Sequence, residues 1–266
     1  MAYISLSRRD INVLEKIKDP ESDPSSAVQV DPTLPKDPNI LDQELYAKIS
    51  QQEREIILSI QELELQSARH SAKEMAGMGI VGGYRECVAR LGRLIQDHPD
   101  YASARNNRAQ ALRRLYGDSM LVTDSPQPLQ ALLRAVDETE RLETAQAALC
   151  DLDRAISLLT PKGPHSSLSP QTARTLSMVY TQRATLYLMT SKLMPSKSVS
   201  IGVGRREASW TKLDFEENAS RDFAMGGKYG NEIAKGLAVA TNPTAKLCGQ
   251  MVQEAMKKEY GPDFAE

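Results

Sequence analysis

The 266-residue chain carries 33 Lys and Arg against 35 Asp and Glu, a formal charge of −2, and this near-balance excludes the strongly basic surface that tracks nucleic-acid phosphates. Only 5 % of the residues are aromatic while Leu, Ala, Glu, Gln, Arg and Ser dominate, which favours helix over sheet. No apolar run approaches the roughly 18 residues that cross a bilayer, and neither Cys87, Cys150 and Cys248 nor His70, His98 and His165 have metal-ligand spacing.

MAYISLSRRD at the start has no signal-peptide core, and the scattered cysteines read as reduced thiols. The expectation is an intracellular helical protein, cytoplasmic or nuclear, with no cofactor and no metal. Residues 7–18 can form a short amphipathic helix through Ile11, Leu14 and Ile17, and the proline-rich stretch 19–38 is expected to be an extended, mobile linker. Asn39 or Asp42 can cap a long helix reaching about residue 76. Its apolar stripe is Leu45, Ile49, Ile56, Ile60 and Leu63, with Glu53, Arg54, Glu55, Glu62 and Glu64 facing water. Gly77, Gly79, Gly82 and Gly83 should break it, and a second helix over 84–96 returns antiparallel to Pro99.

Residues 102–115 then form a helix of strong formers, stopped by Gly117-Asp118, with Ala109 small where a neighbouring helix comes close. A closing Pro, a small residue on a buried face and a Gly-Asp stop punctuate a helical-hairpin repeat of about 34 residues. The partner helix resumes at Ala148, Leu152 and Ala155, after an insertion over 119–147. There Ser125-Pro126 can start a helix that Leu129, Leu132, Leu133, Val136 and Leu142 carry forward. Ser169-Pro170 caps a helix over 171–189 with Ala184 and Tyr187 at the small and aromatic positions, and 192–208 reads as a disordered cationic loop. Residues 210–229 form its partner helix, with Ala219, Phe223 and Gly226 in contact, and 232–240 form another. Asn242-Pro243 starts a last helix over 244–260 whose face of Leu247, Met251, Val252 and Met256 is expected to cap the open end of the stack. The fold expected is all-α, a right-handed α-α superhelix of about three hairpins over 68–101, 102–160 and 170–230. An N-terminal region, 1–40, precedes it, and capping helices over 231–260 close it.

Three pieces carry a resemblance. ASARNNRAQALRRLYGD (102–118), ASRDF (219–223) with NPTAKLCGQMV (242–252), and DINVLEKIKDP (10–20) resemble the tetratricopeptide repeat protein 36 family. The resemblance implies a non-catalytic protein-binding scaffold or adaptor, co-chaperone-like, with an Hsp70-type chaperone or a metabolic enzyme as partner and a link to tyrosine metabolism. Repeat proteins that hold acidic chaperone tails use a carboxylate clamp, whose positions fall here on Ala72, Ala76, Asn107, Met178 and Gln182. Only Asn107 fits, unless a register slip of one brings in Lys73, Arg105 or Arg183.

Residues three and four apart on a helix share a face, and the inner face of a solenoid is its usual binding surface. That places Arg69, Lys73, Asn106, Asn107, Gln110, Arg114 and Gln182, with Ser103, Thr181 and Thr185 beside them, in a groove for a protein or peptide partner. Neither nucleic acid nor membrane is an expected partner, and the chain is expected to be a monomer. Two alternatives are weaker. An enzyme would show a nucleophile elbow, a zincin helix or a phosphate loop, whereas GIVGG at 79–83 reads as an interhelix turn. A contact to nucleic acid or membrane would use Lys192, Lys197, Arg205 and Arg206, and Arg206-Glu207-Ala208-Ser209 has the pattern of a basophilic kinase site on Ser209.

Overall fold

The structure is a computed structural model that describes residues 28–69, 79–123, 131–133, 136–163, 166–194, 199, 201–202 and 204–260. The expected helix over 7–18, the Ser125-Pro126 cap, Gly77 and the clamp positions Ala72 and Ala76 lie outside them. The described residues form eight α-helices: α1 Gln43–Arg69, α2 Ile80–Asp97, α3 Ala102–Tyr116, α4 Glu138–Leu159, α5 Pro170–Leu193, α6 Lys212–Lys228, α7 Glu232–Thr241 and α8 Pro243–Tyr260. Among them no strand forms, only the isolated bridges Val30 to Leu168 and Val122 to Val199. The fold is an all-α helical repeat.

Each helix through α7 packs on the next, and α1, α3 and α5 also touch one another in series. Two bonds along each pair fix the directions: Arg90 and Tyr84 of α2 reach Ser59 and Glu64 of α1, Arg108 and Tyr116 of α3 reach Asp151 and Glu140 of α4, and Arg183 and Ser177 of α5 reach Asp222 and the Gly226 carbonyl of α6. The pairs are antiparallel hairpins whose first helices lie side by side. Small residues stand at the contacts, as the repeat spacing requires: Ala109, Ala148, Ala155, Ala184 and Ala219 are each fully buried. Tyr187, Trp210 and Phe215 pack edge to face between α5 and α6.

Local signals set most boundaries. Asp42 accepts from the N–H groups of Glu44 and Leu45 to start α1, and Ser169 accepts from Thr172 to start α5, with Pro170 in the first turn. Thr211 and Asp214 close a capping box on α6. Gly79, at φ 67°, precedes α2, so Gly82 and Gly83 lie inside that helix instead of breaking the chain. Gly83 is wanted there because a Cβ would meet the Leu63 side chain at 2.7 Å.

Five expectations change. Residues 28–40 include no free linker in their described part: they form a strap. Asp31 N–H donates to the Leu168 carbonyl, Leu168 N–H donates to the Gln29 carbonyl, and the hydroxyls of Ser169 and Thr172 both donate to the Lys36 carbonyl. Buried Asp37 accepts from the Asn39 N–H, and the Asn39 side chain reaches on to donate to the Leu158 carbonyl of α4. Second, Glu53 does not face water. It lies four residues after Ile49 and three before Ile56, on the buried stripe, and it is 6 % exposed, whereas Leu45 is 40 % exposed. Third, α4 starts at Glu138 on an Asp137 cap, not near residue 126. Described residues 131–133 form no helix, and Leu132 and Leu133 donate their N–H groups to the Arg114 and Leu115 carbonyls, two acceptors that the end of α3 leaves open.

Fourth, the described part of the expected cationic loop is fixed, with a 3-10 turn, Arg206–Ser209, and a fully buried Glu207 side chain. Fifth, α8 does not close the stack: Leu247, Met251 and Val252 are 57, 62 and 58 % exposed. The pattern set the helix correctly but not what covers it, because a moment along one helix contains no information about its neighbour.

Candidate protein-interaction groove

α1, α3 and α5 supply the inner face. Across it runs a row of polar side chains. Glu53 of α1 accepts from Asn107 Nδ2 of α3 at 2.7 Å and from the Tyr101 hydroxyl at 2.5 Å. Asn106 Nδ2 donates to Asn107 Oδ1 at 3.3 Å, and Gln182 Nε2 of α5 donates to Asn106 Oδ1 at 2.8 Å. Asn106 is fully buried and Gln182 nearly so. Both therefore tie the inner helices together and leave no atom for a partner, because a buried amide must find its bonds inside the fold. Asn107 is half-buried, with its amide already committed to Glu53.

Further along, Arg114 grips Glu64 through Nε at 2.6 Å and a terminal nitrogen at 3.2 Å, and Tyr84 donates to the same carboxylate. Burial alone would raise the Glu64 pKa, yet the Arg114 and Tyr84 donors hold it below the ordinary value. Gln110 and Arg69 are exposed, and Lys73 lies outside the described residues. Of the seven groove residues read from the sequence, the structure thus brings Asn106, Asn107 and Gln182 into one bonded row and Arg114 into another, and leaves Gln110 and Arg69 open to solvent.

The clamp substitutes do not face the groove. Arg105 donates to Asp151 of α4 and to the Pro99 carbonyl. Arg183 is buried and donates to both Asp222 oxygens, at 2.7 and 2.8 Å, and to Asp153 at 2.7 Å. Nor do the loop cations form an open patch: Arg205 pairs with Asp153 at 2.7 Å and Glu207 at 2.9 Å, and Arg206 pairs with Glu207 at 3.3 Å. Lys192 is exposed and Lys197 lies outside the described residues. Ser209 is exposed at the end of the 3-10 turn, its hydroxyl donating to the Arg206 carbonyl.

Sequence reading missed the feature at the N-terminal end of the groove. There the strap, the first turns of α1 and the start of α5 border a cleft of about 490 Å3 that opens to solvent. Lys36, Tyr46, Arg54, Tyr101 and Gln171 are among its lining, and Glu53 forms part of the wall. Burial pushes the Glu53 and Asp37 carboxyl pKa values up, against the donors that each accepts. Tyr46 meets Tyr101 edge to face, with ring centres 6.2 Å apart. The signal that could have found it is Asp37-Pro38-Asn39, an Asx turn before a helix. Among the described residues no group of three or more His, Cys, Asp or Glu is placed to hold a metal ion, and no helix is long and apolar enough to cross a membrane.

The L-tyrosine degradation gene cluster protein hmgX of Aspergillus fumigatus is 37 % identical over 257 residues, covering 96 % of this chain and 93 % of the relative. The chain belongs to the family of hmgX and tetratricopeptide repeat protein 36. Tetratricopeptide repeat protein 36 of Danio rerio is 24 % identical over 80 % of this chain and 77 % of its own. The Drosophila melanogaster homolog of that protein is 26 % identical over 96 % of each. No family model matches the chain, and no solved structure matches it.

Proposed function

We propose that the protein is a non-catalytic scaffold of tyrosine degradation, holding a protein of that process against the face formed by α1, α3 and α5. The observation that carries this is similarity along nearly the whole chain to a relative named for an L-tyrosine degradation gene cluster, joined to an inner face whose side chains are fixed by one another. Preorganised side chains lose little entropy on binding, which suits recognition of a folded partner. An enzyme of tyrosine metabolism fits better than the acidic tail of an Hsp70-type chaperone. The Asn107 and Gln182 amides that a clamp would need are spent on Glu53 and Asn106, and freeing them would strand buried polar groups.

The test is affinity capture of the tagged full-length chain from cells fed tyrosine, beside the variants Gln110→Arg and Arg69→Glu. Both positions are exposed, so folding is unaffected. Enrichment of tyrosine-degrading enzymes by the native chain, reduced by either variant, supports the reading. Equal recovery with all three chains, or none of these enzymes, refutes it.

A further inference from the structure

The cleft under the strap goes beyond an interaction face, because it is bounded. The strap crosses the N-terminal end of the groove and is bonded there by Ser169 and Thr172. An extended peptide lying along the groove would have to displace it, whereas a small molecule would not. The volume of about 490 Å3 lies in the range of roughly 300–1,000 Å3 usual for small-molecule sites.

Charge decides the ligand. Two cations line the cleft, Lys36 and Arg54. Both are exposed, and neither has a carboxylate partner among the described residues. This contrasts with Arg114 and Arg183 on the same inner helices, which are fully engaged. Lys36 Nζ stands 5.7 Å from the Tyr46 ring centre, a contact that orients an ammonium without using its N–H groups. The acidic neighbours are already occupied: Glu53 by Tyr101 and Asn107, Asp37 by Asn39. Leu34, Pro170 and Tyr46 supply apolar lining, with Gln171 among the polar lining.

We propose that this cleft binds a small organic carboxylate, its anionic group held by Lys36 and Arg54 and its organic body lying between Tyr46, Leu34 and Pro170. A guanidinium presents a planar fork that matches a carboxylate, and a lysine adds a point charge. Binding would brace the strap against α1 and α5, and so couple a metabolite to the shape of the groove's end. This reading stands apart from the scaffold proposal.

The experiment is isothermal titration of the full-length protein with benzoate and with glutarate, using benzamide as the uncharged counterpart and octaglutamate as a peptide source of the same group. The expected result is saturable binding of at least one small carboxylate and none of benzamide. Lys36→Gln and Arg54→Gln should each weaken it at least fivefold. Arg93→Gln, an exposed cation on α2 paired only with Glu86, should leave it unchanged, and equal melting temperatures show that all three variants fold. No saturable binding, equal binding of benzamide, indifference to both cleft variants, or binding of octaglutamate alone would each overturn the proposal.

Discussion

Arg183 and Asp222 form a largely buried two-pronged pair, and Asp153 and Arg205 continue it toward Glu207 and Tyr187. Such a pair contributes little over an apolar substitute, but breaking it on one side leaves a charge stranded in a dry site. Asp222→Ala should therefore lower stability by about 3–5 kcal/mol, read from denaturant unfolding. Gln182→Ala, which removes its bonds to the Asn106 side chain and carbonyl and an acceptor for Arg113, should cost about 1–3 kcal/mol. Acid and base act on different carboxyls. Burial would raise Glu207, but donors from Arg205 and Tyr187 pull it down to about 2. Its contribution is present above the ordinary value of 4.5 and is lost as pH falls toward 2. Glu53 runs the other way, since burial raises it above 4.5. The native state then holds that proton more tightly than the unfolded chain, and stability declines as pH rises from 4.5 through the raised value. Unfolding free energies measured across a pH series should show Glu207→Gln flattening the acid limb and Glu53→Gln flattening the decline above 4.5.

Two glycines separate packing from propensity at the level of the helix. A Cβ on Gly226 of α6 would lie 2.6 Å from Thr181 Oγ1, 3.2 Å from the Ala234 Cβ and 3.4 Å from the Ser177 carbonyl oxygen. Gly226→Ala should destabilise by about 1–3 kcal/mol. Gly236 lies inside α7 with nothing within 4 Å of the same position, so Gly236→Ala should stabilise by roughly 0.5–1 kcal/mol. Thermal unfolding of the two variants should move in opposite directions. The same contrast explains what could be read beforehand. Small residues at helix contacts, such as Ala109 and Ala219, and caps such as Asp42 and Ser169 are local signals, and they located the hairpins. Glu53, Asn106 and Gln182 look like surface residues in the sequence, because what buries each of them is a donor or acceptor on another helix. The cleft was hidden for the same reason, since the Lys36 carbonyl finds its partners at Ser169 and Thr172, beyond four helices. Proline-rich composition suggests looseness only until such a partner exists.

Taken as a whole, the stack is open at its C-terminal end. Leu247 and Met251 on α8, with Ile233 and Val239 on α7, remain exposed. Substituting Leu247 and Met251 together by Glu should change the unfolding free energy by no more than about 0.5 kcal/mol each, in line with surface positions. The strap has a different consequence. Most solenoids resemble dominoes: each unit leans only on its neighbours, so melting can begin at a tip and unzip inward. Here one short stretch ahead of the first hairpin is stitched to the second at Leu158 and to the third at Ser169 and Thr172. No hairpin among the three can let go alone, and the array should melt in a single step. Cutting the stitch with Asn39→Ala and Thr172→Val together should restore piecemeal melting, visible as a broader transition in which tyrosine fluorescence and far-ultraviolet dichroism no longer coincide.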